Sequence, residues 1–305
     1  MMPAKTVIVI TGPTGSGKTA LAIEIAQHFH TSIISVDSRQ CFRELNIGVA
    51  KPTATQLALV HHEFINSHSI HDSVNAALFE SLAIQWCEEI FSNRDVVVMA
   101  GGTGLYIKAF RDGLDEIPAV DEAIRRDIQQ RYRVGGLDWL KESIRLSDPL
   151  FYATGEISNP QRMMRALEVI QSTGRSILAF RNLQKKKNPF RILEFGIRQP
   201  RKELYHRIDH RVDQMMDSGL LEEVKSLIPF QHLNALQTVG YKELFDHLNG
   251  KMNLEDSISL IKQNTRHYAK RQLTWGNSQK DLIWLEDDFF NRILDVYTSH
   301  NRDSI

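Results

Sequence analysis

Thr6-Val-Ile-Val-Ile-Thr11 runs without a break into Gly12-Pro13-Thr14-Gly15-Ser16-Gly17-Lys18-Thr19, and the fold hangs on that junction. The first six residues are β-branched and apolar almost throughout, the pattern of a parallel strand covered on both faces. The next eight fit G-x-x-x-x-G-K-[ST], and a helical pattern follows over Lys18–His28. A strand, a glycine-rich turn and a helix N-terminus make a phosphate cradle. Backbone N–H groups converge on one anion, and the helix end adds partial positive charge. Lys18 supplies a full charge at the terminal phosphate, and the Thr19 hydroxyl is offered to Mg²⁺. The loop therefore binds a phosphorylated ligand, with ATP the first guess.

Ile33–Val36 and Val96–Met99 are two further apolar runs, and Asn75–Phe91 is a second helical pattern. Strand and helix alternate, which predicts a P-loop NTPase-like α/β fold with a doubly wound parallel sheet. After Gly113 the character changes. Val120–Arg133, Leu137–Leu146 and Arg162–Thr173 read as amphipathic helices joined by Gly-Gly or Pro-containing connections, a mainly helical insertion. Phe190–Ile197 reads as a returning strand, and from Arg201 the pattern is helical with Gly219, Gly240 and Gly250 as ends or turns. The expected domains are residues 1–113 with 190–305, and 114–189.

The 37 Lys and Arg balance 37 Asp and Glu, so any polyanion footprint must be local. Two cysteines, Cys41 and Cys87, suggest neither a disulfide framework nor a zinc site. Residues 1–12 carry neither a signal-peptide core nor a membrane span. A cytoplasmic protein acting as a monomer away from the membrane is expected. His61 and His62 lack an evident third metal ligand, and Met163-Met164 and Met215-Met216 look like core.

A phosphate grip does not say which bond breaks. Many NTPases place an Asp at the end of an apolar strand to hold Mg²⁺, but Val96–Ala100 ends in Gly101-Gly102-Thr103. The carboxylate at a strand end near the loop is Asp37. Beyond the carboxyl ends of parallel strands, Asp37 and Thr103 should both face the loop. Asp37 could equally be a turn or cap residue, and Thr103 could cap the next helix. A small-metabolite kinase would share this arrangement.

The sequence resembles the tRNA dimethylallyltransferases, also called tRNA isopentenyltransferases, of bacterial type. Besides Gly12–Thr19, the matching blocks are Asp37-Ser-Arg-Gln40, Asn46-Ile-Gly-Val-Ala-Lys-Pro52, Gly101-Gly-Thr-Gly-Leu-Tyr106, Asn159-Pro-Gln-Arg-Met-Met-Arg-Ala-Leu-Glu-Val169, Val239-Gly-Tyr-Lys-Glu243 and Arg266-His-Tyr-Ala-Lys-Arg-Gln-Leu-Thr-Trp275. The resemblance implies dimethylallyl diphosphate in the loop and, as acceptor, the adenosine 3′ to the anticodon of a tRNA. It implies Asp37 as general base, Thr103 near the acceptor and Arg211 at the diphosphate, although an arginine on a helix is otherwise a common surface ion-pair partner. The implied tRNA anticodon stem-loop contacts are Asp37, Ser38, Arg39, Gln40, Thr103, Arg125, Gln161, Arg162, Met163, Met164, Arg165, Gln237, Thr238, Val239, Gly240, Tyr241 and Lys242.

Between Gln161 and Arg211 stand thirteen Lys or Arg against four acids, a basic excess that fits a phosphate backbone. Lys262, Arg266 and Lys270 recur every four residues as a further candidate stripe. The chain departs from the resemblance at Gly15, where Ala is common, at Ala153–Ser158 and at Gly276-Asn277, for which no role follows. It also lacks the paired Cys and His of a zinc finger.

Overall fold

Both faces of the central strand are buried, and that is why its sequence shows no alternation. Val7 and Val9 pack into one apolar cluster with Ile34, Val36, Val97 and Met99; Ile8 and Ile10 pack into a second with Ile33, Val98 and Phe195. The computed structural model describes residues 5–181 and 186–302, so Lys185 of the basic stretch lies outside the described residues. Its strands are β1 (Thr6–Thr11), β2 (Ile33–Val36), β3 (His62–Glu63), β4 (Val96–Gly101), β5 (Arg191–Ile197) and β6 (Ile283–Leu285), all parallel in the order β3-β2-β4-β1-β5-β6. The doubly wound parallel sheet predicted from Thr6–Thr11 is present, with two short strands that the sequence did not signal.

Register brings the chemistry together. Thr11 of β1 lies opposite Gly101 of β4, and Gly101 lies opposite Val36 of β2. The loops that follow these strands carry Gly12–Thr19, Gly102–Thr103 and Asp37–Gln40, so three sequence blocks meet at one edge.

The chain divides into two compact units, Met1–Asp112 with Lys187–Ile305, and Gly113–Lys186. In the second unit, Asp121, Asp148 and Asn159 cap the helices Glu122–Ser147, Pro149–Thr154 and Pro160–Thr173 through side-chain oxygens, each cap being worth about 1 kcal/mol. The long helix breaks at Gly136 (φ 63°, ψ −157°) into two arms, at the predicted Gly-Gly connection. Its core gathers Ile128, Leu140, Ile144, Phe151, Met163 and Leu167. Among the described residues no helix is long and apolar enough to cross a membrane.

Neighbouring glycines should respond differently to substitution. A Cβ on Gly101 would lie 2.1 Å from the Val36 carbonyl oxygen, so backbone must move in the buried sheet; a Cβ on Gly102 would press hardest on the end of the Gln272 side chain, at 1.9 Å, and meet the Gly12 carbonyl oxygen at 3.3 Å. Gly101→Ala is expected to cost about 3 kcal/mol or more in denaturant unfolding, and Gly102→Ala less than about 1.5 kcal/mol.

Candidate active site

A cavity of about 290 Å³ opens at that edge, lined at its polar end by Thr14, Lys18, Thr19, Asp37 and Arg211. The helix Arg201–Asp217 brings Arg211, whose guanidinium lies 3.4 Å from the Thr14 hydroxyl and 3.5 Å from the Ala50 carbonyl. Among the described residues no carboxylate forms an ion pair with it. The surface ion-pair alternative for Arg211 is therefore set aside.

Lys18 folds back on its loop and donates to the Pro13 carbonyl (2.7 Å). Burial first, and the Arg211 charge second, push its ammonium down to about 8 against the pull of Asp37. Two cations thus face one carboxylate, a deficit that a bound diphosphate would fill. An anion there restores the Lys18 proton, so diphosphate affinity should fall as pH rises above about 8, by up to about tenfold per unit. Calorimetric titration with an alkyl diphosphate across pH 7–10 measures the slope, and Lys18→Met should abolish it.

Asp37 is a turn residue as well as a cavity residue. Its Oδ1 accepts from the backbone N–H of Arg39 (2.9 Å) and Gln40 (3.3 Å), while Oδ2 makes no hydrogen bond among the described residues. Thr103 does not cap the following helix Gly104–Asp112 through its hydroxyl. That hydroxyl accepts from the Ser38 N–H (3.1 Å) and is hydrogen-bonded to Tyr268, whose phenol burial and the Asp37 charge push up to about 12.

The helix Leu254–Asn277 supplies what the sequence did not reveal. The stripe Lys262, Arg266, Lys270 is largely structural: Lys262 pairs with Asp213 (2.6 Å) and Arg266 with Asp209 (2.5 Å). The working stripe is Tyr268, Gln272 and Trp275, spaced four and three residues apart on one face. Tyr268 meets Thr103, the Trp275 ring packs on Gly104, and Gln272 donates to the Gly102 carbonyl (3.0 Å). Gln272 also accepts from the Thr14 N–H (2.9 Å), bridging the phosphate loop to the β4 loop. This periodicity inside the Arg266–Trp275 block was the available signal.

An apolar wall faces the polar end, built from Ile208, Val212, Met215, Leu220, Val239 and Ile261. Met215, expected to be core alone, thus also lines the cavity.

Of the other expected tRNA contacts in this unit, Ser38, Arg39, Gln40, Thr238, Val239 and Gly240 line the cavity, and Gln237 and Lys242 are exposed. Gln40 is committed to the protein, donating to the Val49 (3.2 Å) and Ala50 (3.1 Å) carbonyls. Tyr241 must be corrected: it is fully buried and donates to Glu223. In the helical unit, Met163 and Met164 are also corrected, since both side chains sit in its core. Gln161 and Arg162 are exposed there, while Arg125 (3.6 Å) and Arg165 (3.3 Å) share the buried Glu168. Arg162 is paired with Glu156, inside the Ala153–Ser158 departure. Chain-wise counting overstated the basic excess, because Arg198 and Arg207 also have acidic partners.

The Gly276-Asn277 departure has a packing reason. A Cβ on Gly276 would press on the Trp284 ring of β6 at 2.9 Å, and Asn277 accepts from Arg198 (2.9 Å). His62 belongs to β3 and bonds the Val60 carbonyl, while His61 pairs with Glu63 (2.8 Å). Among the described residues no cluster of three or more His, Cys, Asp or Glu could hold a metal. The donors near the loop are instead the Thr19 hydroxyl and the Asp37 carboxylate. Such a set suits Mg²⁺, which keeps waters and takes substrate phosphates rather than an all-protein cage.

The model of the IPP transferase family matches residues 40–279. The tRNA dimethylallyltransferase 1 of Phocaeicola vulgatus is 45% identical over 97% of this chain and 99% of its own length. That of Christiangramia forsetii is 47% identical over 92% and 93%. Among solved structures, the tRNA isopentenylpyrophosphate transferase of Bacillus halodurans superposes with a TM-score of 0.71 at 32% identity, covering 98% of this chain and 97% of that one. A eukaryotic dimethylallyltransferase acting on tRNA gives 0.76 at 27% identity, over 93% and 74%.

Proposed function

Because this chain belongs to the IPP transferase family, we propose that it transfers a dimethylallyl group from dimethylallyl diphosphate to N6 of the adenosine 3′ to the anticodon in tRNA, releasing pyrophosphate. The observation that carries this reading is the union, in one cavity, of a phosphate grip with an apolar wall. A five-carbon chain against that wall contributes about 3–4 kcal/mol of binding at ~0.8 kcal/mol per carbon. A kinase has no need of it.

In the reaction the N6–C1 bond forms as the C1–O bond to diphosphate breaks, and the N6 proton passes to Asp37. An exocyclic adenine amine is a weak nucleophile because its lone pair is drawn into the ring, so both ends of the displacement need help. The phosphate-loop amides, Lys18 and Arg211 meet the charge growing on the leaving group. Thr19 would hold Mg²⁺ at this end, where the ion would supply further charge neutralisation. Thr103, whose hydroxyl accepts from the N–H of Ser38, the residue after Asp37, is proposed to orient the acceptor. The base must leave its stack to enter, at a cost lowered in a loop. Arg125, Gln161, Arg162 and Arg165 are proposed to meet the RNA backbone, and the enzyme is proposed to work as a cytoplasmic monomer.

Incubation with dimethylallyl diphosphate, Mg²⁺ and an anticodon stem-loop, followed by mass spectrometry of the nucleosides, tests the proposal. Prenylated adenosine and stoichiometric pyrophosphate are expected. ATP consumption with an inert prenyl donor, or preference for free AMP over the stem-loop, overturns it.

A further inference from the structure

Two sequence blocks, Asn46–Pro52 and Val239–Glu243, are fastened to each other by a residue that neither contains. Glu223, on the helix Leu220–Ser226, accepts through Oε2 from the backbone N–H of Asn46 (3.1 Å) and Ile47 (2.8 Å). Its Oε1 accepts from the Gly48 N–H (3.1 Å) and the Tyr241 hydroxyl (2.5 Å). Three successive amides facing one anion form a nest, and here a side chain is the anion. Tyr241 closes the arrangement from behind, its ring so near Gly48 that a Cβ there would come within 2.5 Å. Burial and the Glu223 charge hold its phenol far above the usual range, so it remains a donor.

The loop held in this way continues directly into the cavity, where Gly48, Val49 and Ala50 form part of the lining. Ala50 takes a left-handed φ of 51°, which a non-glycine residue keeps only when its surroundings impose it. Its carbonyl accepts from Gln40 Nε2 (3.1 Å) and from Arg211 Nη2 (3.5 Å). Among the described residues Arg211 has one other hydrogen bond, also long, to the Thr14 hydroxyl (3.4 Å). A guanidinium that among the described residues is tethered by two long contacts and no carboxylate takes its place from whatever sets those contacts.

We propose that Glu223, held by Tyr241, is a positioning residue for the diphosphate end of the reaction: by fixing the 46–50 loop it places the Ala50 carbonyl, and through it the Arg211 guanidinium. The proposal rests on Arg211 being a diphosphate ligand. Glu223 is not among the residues that line the cavity, so its effect is indirect, and the Ala50 carbonyl with its Arg211 contact is the route proposed.

The test is a double-mutant cycle on the full chain, reading kcat and the KM of each substrate with the other saturating. Glu223→Gln keeps the shape and loses the charge; Tyr241→Phe loses one hydroxyl. Glu223→Gln should raise the KM for dimethylallyl diphosphate about tenfold and Tyr241→Phe about threefold, with the KM for tRNA unchanged within about twofold. In an Arg211→Ala background each should have less than about a twofold further effect. Fold-changes that multiply in the double variants, or a tRNA KM that rises in step with the donor KM, overturn the strut while leaving the Arg211 assignment standing. An Arg211→Ala single variant with unchanged donor KM and kcat overturns that assignment and the strut with it. Should Glu223→Gln fail to fold, Tyr241→Phe with and without Arg211→Ala carries the same cycle.

Discussion

Asp37→Asn lowers the single-turnover rate of prenyl transfer by about 10²–10⁴-fold, with tRNA affinity held within a few fold. The amide keeps an oxygen to accept from the Arg39 and Gln40 N–H groups, so the turn after β2 survives and the loss falls on proton transfer alone. Asp37→Ala removes turn and base together and should lose donor and tRNA binding as well. The substitution has a second effect with a definite sign. Asp37 raises the Lys18 pKa, so removing its charge lets Lys18 fall below about 8 and shifts the alkaline limb of donor binding to lower pH. Retention of full rate in Asp37→Asn across pH 6–9 would remove Asp37 from the mechanism and leave the substrate assignment untouched.

Lys18→Met should cost about 10²–10³ in kcat, since the lost charge acts where the leaving group becomes negative, and should make the protein more stable. The sign follows from linkage. Burial lowers the Lys18 pKa from 10.5 to about 8, so the folded protein without ligand disfavours the charged form. That penalty, roughly 3 kcal/mol, is fully present below pH 8 and is relieved as pH rises from about 8 to 10.5. Methionine carries no such penalty, so denaturant unfolding at pH 7 should shift to higher concentration while activity collapses. A variant both inactive and destabilised would show that Lys18 serves the fold. Sites that hold charge ready for a ligand are expected to trade stability for function in this direction.

What could be read from the sequence depended on whether a residue's partner lay nearby in the chain. β1, β2 and β4 were legible because burial on both faces leaves continuous apolar runs, and the phosphate loop because its mechanism is local. β3 and β6, two and three residues long, are too short to show any period. The cavity's apolar wall could not be told from core: Val212, Leu220 and Ile261 have the chemistry of both, and only the sheet edge above them makes them a wall. Lys262 and Arg266 looked like a nucleic-acid stripe because Asp213 and Asp209, which neutralise them, sit on another helix. Tyr241 stood inside a block associated with tRNA, yet its partner Glu223 lies 18 residues earlier and turns it inward.

The Gln272 bridge also has a consequence in time. One of its hydrogen bonds joins the Thr14 amide to a carboxamide 258 residues later, and the other reaches back 170 residues to the Gly102 carbonyl. At ~5–20 residues per second, a ribosome makes the phosphate loop roughly 10–50 s before the residue that braces it. During that interval the nascent chain carries the whole Gly12–Thr19 motif but not the side chain that bonds Thr14 and Gly102. The motif is made first, and the side chain that joins it to the loop after β4 arrives only with the helix Leu254–Asn277.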